Sequence, residues 1–155
     1  MFSREEAARL RQQFWISFGQ YMKPILGAEG LPVNWINYKT GIKHLFFRMD
    51  AEQKFASIAI EFAHPDDGIR ALFFEQFQEF KLMFENTLQN EVWNWQLHGT
   101  NNFGKQVVRI ECILPKVSVF NQQQWPDIIA FLKPRIIALD EFWTDVKPIF
   151  EDLLN

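Results

Sequence analysis

The chain has 155 residues, 48% hydrophobic and 23% charged, which suits one domain with one core and excludes disorder over most of its length. A net charge of −3 and a pI near 5.6 exclude a protein that coats nucleic acid by bulk positive charge, although a local basic patch stays open. Cys112 is the only cysteine, so no internal disulfide can form, and its apolar run predicts a buried, inert thiol.

Ser3 followed by Glu6 reads as a capping box, with Phe2 as a candidate staple. The helix it opens carries Leu10, Phe14, Phe18, Tyr21 and Ile25 on one face and stops at Gly27, Gly30 and Pro32. Three strands are expected next, at 33–39, 42–49 and 54–62. Leu45, Phe47 and Met49 alternate with His44, Phe46 and Arg48; Ala56, Ile58, Ile60 and Phe62 alternate with Phe55, Ser57, Ala59 and Glu61. The residues from Asp50 to Gln53 read as the turn of that hairpin. His64-Pro65-Asp66-Asp67 starts a long helix with Ile69, Phe73, Phe77, Phe80, Phe84 and Leu88 as its apolar stripe. A second hairpin pairs the Trp93, Trp95, Leu97 strand with a return strand at 106–114, across a polar loop from Gly99 to Gly104. Asn121 is a candidate N-cap. Pro134 is expected to divide the terminal helical region, which carries Leu139, Phe142, Val146, Ile149 and Leu153.

The order α-βββ-α-ββ-α(α) predicts a single α+β domain over 1–155, an antiparallel sheet of about five strands packed with three to four helices. The 16% aromatic content supplies its core.

Familiar chemistry is not apparent in this pattern. His64-Pro65-Asp66-Asp67 reads as helix initiation rather than a metal cluster, and Glu79-Phe80-Lys81 falls mid-helix, not on the strand a nuclease triplet needs. The seven glycines are too scattered for a phosphate loop, and no nucleophile is matched to a base. No cofactor, metal ligand set or catalytic residue is expected, and the reading leans away from an enzyme. Two candidate surfaces remain. Alternation puts His44, Arg48, Glu61, Arg109 and Glu111 on one sheet face, either a ligand-binding floor or a solvated face. Trp35, Tyr38, Trp93 and Trp95 form a candidate aromatic contact surface suited to stacking on single-stranded bases.

The landmarks Phe14-Trp15-x-x-Phe18, Asn34-Trp35, Gly41, the charged strand 54–62, Phe77 with Lys81, Trp93-Asn94-Trp95 and Trp125 run through nearly the whole chain. In this order they resemble the bacterial domain-of-unknown-function family 4268. The resemblance specifies fold and implies no catalytic residue. It implies a standalone accessory or recognition domain, because longer members join it to a nuclease-like N-terminal region that is not seen here.

The expected function is therefore a non-catalytic interaction domain, homo-oligomeric or bound to a protein partner. The rival readings are a nucleic-acid-associated module and an enzyme using Glu61, Arg109 and Glu111. A polar, acidic start and no apolar run long enough to span a bilayer predict a cytoplasmic protein without a membrane partner.

Overall fold

The computed structural model describes residues 2–154. Helix α1 (Arg4–Met22) begins where the Ser3 hydroxyl oxygen accepts the Glu6 N–H at 3.1 Å, the cap its sequence predicts. It buries Leu10, Phe14, Phe18 and Met22, while Tyr21 stays exposed. Pro24, two residues beyond the helix, cannot continue it.

The segment 33–39, expected as a strand, is a loop. Asn34 Oδ1 accepts the Asn37 N–H at 3.1 Å, closing a side-chain turn that competes with strand pairing, and Trp35 Nε1–H donates to the Ile25 carbonyl at 2.9 Å. Strands β1 (Leu45–Ala51) and β2 (Phe55–Phe62) form the first hairpin. Asp66 Oδ1 accepts the Ile69 N–H at 2.9 Å and caps α2 (Asp67–Glu79). Phe80 leaves helical geometry, so the expected long helix continues as a separate α3 (Lys81–Thr87). Strands β3 (Asn94–Thr100) and β4 (Gln106–Pro115) form the second hairpin. A 3₁₀ turn at Gln122–Gln124 leads into α4 (Trp125–Asp152).

Among the described residues the sheet has four strands, not about five, in the order β1-β2-β4-β3, all antiparallel. The observed order is α-ββ-αα-ββ-α, an α+β fold. The helices supply the apolar side of one sheet face. Leu45 and Phe47 of β1, Ile58, Ile60 and Phe62 of β2, and Val108 and Ile110 of β4 join Phe73, Phe77, Phe84 and the buried stripe of α4 in one cluster.

Pro134 lies inside α4 without ending it. A helix-interior proline costs about 3 kcal/mol. Here Ile128 and Leu132 before it, and Ile136, Leu139, Trp143, Val146 and Phe150 after it, are all buried on the same body. Burying such side chains contributes about 1.5–3 kcal/mol each, which outweighs one lost backbone bond. Near its end, the Phe150 ring meets Phe77 at 4.4 Å, Trp143 at 5.3 Å and Phe73 at 5.4 Å between centroids. Phe73 in turn stacks on Phe62 of the sheet at 4.0 Å.

Phe150 thus joins α2, α4 and β2 through one aromatic cluster. Phe150→Ala should destabilise by about 3–5 kcal/mol in urea titration. Ile149→Ala, one residue earlier but 44% exposed, should change stability by about 0.5 kcal/mol or less.

Candidate functional site

β2 is flanked by β1 and β4, so its odd-numbered residues Ser57, Ala59 and Glu61 occupy the middle of the face opposite the helices. Register places Phe46 and Arg109 on either side of Glu61, and Asp50 and Ile113 on either side of Ser57. Glu61 is only 4% exposed although the helices pack on the other face. Its carboxylate accepts from Arg109 Nη1 at 2.8 Å and from Arg48 Nε at 3.3 Å. Arg109 Nε also donates to Glu111 Oε2 at 2.7 Å. Arg48 lies over the Phe46 ring with its guanidinium carbon 4.0 Å from the centroid, a cation–π contact. The result is a ladder of alternating charge, Arg48–Glu61–Arg109–Glu111, running across three strands.

Four of the five expected sheet-face residues are therefore in one hydrogen-bonded set. His44 is not. It lies just before β1 with φ of 71°, and its ring meets His64 edge-on at 5.3 Å.

The β3–β4 loop stands over this face. Asn101 Oδ1 accepts the N–H groups of Phe103 at 2.9 Å and Lys105 at 3.0 Å, and Gly104 supplies the φ of 75° that the turn needs. On one side of the loop is a hollow of about 770 Å³, reached by Asp50, Ser57, Asn102, Arg109, Glu111 and Ile113. On the other is one of about 520 Å³, reached by His44, Arg48, Glu61, His64, Arg70 and Lys105.

The candidate aromatic surface is corrected by burial. Trp35 and Trp93 are buried, with their N–H groups held by the Ile25 carbonyl and by Glu91 Oε1. Trp95 is half-buried, packed edge-on against Phe74 and Phe84 beneath Lys81. Tyr38 stacks on Phe47 at 4.8 Å and its hydroxyl donates to Asp140 Oδ1 at 2.5 Å. Asp140, itself buried, takes the Ala28 N–H on its other oxygen at 2.8 Å, which ties the loop after α1 to α4. Burial first, then Asp140, pushes the Tyr38 hydroxyl well above its ordinary range. Trp35 and Trp93 are thus enclosed in the core, while Tyr38 and Trp95 are partly buried against it.

Cys112 has the parity of the core face but is only half-buried, and burial pushes its thiol up. Asp66 is the α2 cap and Asp67 pairs with Arg70, so both carboxylates are used locally. Among the described residues no three His, Cys, Asp or Glu side chains gather as a metal site, and no helix is long and apolar enough to cross a membrane.

The profile of a domain of unknown function, DUF4268, matches residues 10–147. The chain belongs to the DUF4268 family. No curated protein and no solved structure matches it. The match spans every element of this DUF4268 domain that carries the ladder and both hollows.

Asp50 is the site residue that sequence reading missed. It reads as a turn residue, yet β1 runs on to Ala51 and carries Asp50 onto the charged face. Continuing the His44, Phe46, Arg48 alternation by one step finds it. Burial raises its pKa above the ordinary carboxylate value, only partly offset by Arg109. The folded state therefore holds the Asp50 proton more tightly than the unfolded chain. The stability linked to that proton is present below the ordinary carboxylate pKa and is lost as pH rises through the folded value. Asp50→Asn should consequently stabilise this DUF4268 domain at neutral pH, with the gain shrinking toward zero on acidification below the ordinary carboxylate range. Chemical denaturation of both proteins across this range measures the difference.

Proposed function

We propose that the chain is a non-catalytic interaction domain of a bacterial, cytoplasmic protein, and that the charged sheet face is where its partner docks. The observation that carries this reading is the ladder centred on the enclosed Glu61 carboxylate, beside an open hollow of about 770 Å³ on the face opposite the helices. A ladder of paired charges contributes little stability over an apolar replacement, but it presents donors and acceptors at set positions. The exposed Ile113 and Phe55 at its edge add apolar contact area.

The occupant that fits is a segment of another protein carrying both signs of charge and an apolar side chain. The hollow beside the β3–β4 loop suits a protruding segment better than a flat second copy of the chain. Nucleic acid is disfavoured because the ladder carries as many carboxylates as guanidiniums and the chain is acidic overall.

Asp50 favours one second reading, an enzyme in which its carboxylate acts as an acid beside Ser57 and Arg109 in the same hollow.

A photo-crosslinking residue at Ile113 should capture a defined protein in cells of the native host, and the same residue at Met83, exposed on α3, should not. Equal labelling from both positions would count against the docking face. A substrate turned over by the parent protein and lost in Asp50→Asn would favour the enzyme instead.

A further inference from the structure

Four separate parts of the chain meet at the second hollow: β1 with the residue before it, the end of β2, the start of α2 and the β3–β4 loop. They bring His44, Arg48, His64, Arg70 and Lys105 to one concavity of about 520 Å³. We propose that this hollow binds the phosphate group of a small phosphorylated molecule.

His64 Nδ1 accepts the Asp66 N–H at 3.0 Å, so in the neutral ring the proton sits on Nε2 and remains a donor. Arg70 is buried and clamped by the His64 carbonyl at 2.7 Å, by Gln106 Oε1 at 3.3 Å and by Asp67. It fixes the wall rather than reaching for a ligand. Glu61 is the carboxylate of the lining, and both its oxygens already accept from arginines. Lys105 makes no ion pair among the described residues and sits exposed on the loop rim. Arg48 engages Glu61 through Nε and is 45% exposed along its side chain, which leaves its outer nitrogens as donors.

The charges that act on His44 are positive. Burial first, then His64, Lys43 and Lys105, hold His44 below its ordinary value. The acidic groups around this end are already partnered: Asp66 caps α2, Asp67 pairs with Arg70, and Glu61 accepts from Arg48 and Arg109. A lysine point charge, a guanidinium edge and imidazole N–H groups together suit a tetrahedral anion with several acceptor oxygens. Phe103, 82% exposed on the loop beside Lys105, offers an apolar wall to the organic part of the ligand. A concave site on an acidic protein favours a small phosphomonoester over the backbone of a nucleic acid. The site goes beyond the docking reading and stands without it, because His44, His64 and Lys105 take no part in the charge ladder.

NMR titration of the full chain at low ionic strength tests this with three probes: inorganic phosphate, glycerol 3-phosphate and a short single-stranded oligonucleotide. Saturable shifts at His44, His64 and Lys105 are expected with both phosphates, at about 1 mM or tighter for glycerol 3-phosphate. Lys105→Ala, in an exposed loop, should weaken binding at least about tenfold and leave the rest of the spectrum unchanged. Lys23→Ala, exposed at the end of α1, should bind as the parent does. Shifts that fail to saturate, or unchanged affinity in Lys105→Ala, would overturn the site. Tighter binding of the oligonucleotide than of glycerol 3-phosphate would overturn its assignment to a small molecule.

Discussion

A carboxylate in the middle of a four-stranded sheet, with a strand on either side, has to find its counter-charges within that sheet. Glu61 meets this constraint through the register of its two neighbours, which sets Arg109 directly across from it on β4 and Arg48 diagonally on β1. The small side chains at Ser57 and Ala59 let the longer ones lean over β2, so that both small residues are enclosed without a helix above them. The charged face is thus organised by pairing rather than by burial under a second layer. Exposed ion pairs are worth little, whereas a nearly enclosed carboxylate cannot lose its partners without a large cost.

The opposite face makes this possible. α2, α3 and α4 concentrate their rings there, and Phe150 sits among Phe73, Phe77 and Trp143. That packing carries α4 through Pro134 as one helix, and it encloses Trp93 and Trp143. The division of labour between faces follows from strand parity: even positions of β2 meet the helices, odd positions meet the charges and the loop.

Much of this was legible from local signals. The Ser3 and Asp66 caps, both hairpins and the set Arg48, Glu61, Arg109 and Glu111 follow from capping chemistry and period-two alternation. Local pattern could not show which charges are neighbours, because register is a tertiary property. Residues 33–39 have strand-like side chains, but the Asn34 turn and the bond from Trp35 to Ile25 win over pairing. Alternation assigns Trp95 to a face without saying what packs there, so the cover that Phe74 and Phe84 give it is not readable from the strand pattern. The meeting of His44, His64, Arg70 and Lys105 depends on four loops and ends that only the fold brings together.

The charges on the helix-free face are a built part of the molecule, organised around a carboxylate that is 4% exposed. The unfolding free energy of Glu61→Ala, measured by urea denaturation at neutral pH and moderate salt, tests this. An enclosed carboxylate predicts a loss of about 3 kcal/mol, because the largely buried Arg109 is left without its partner and Arg48 loses its own. A loss of about 0.5 kcal/mol or less, as for an ordinary surface substitution, would contradict it.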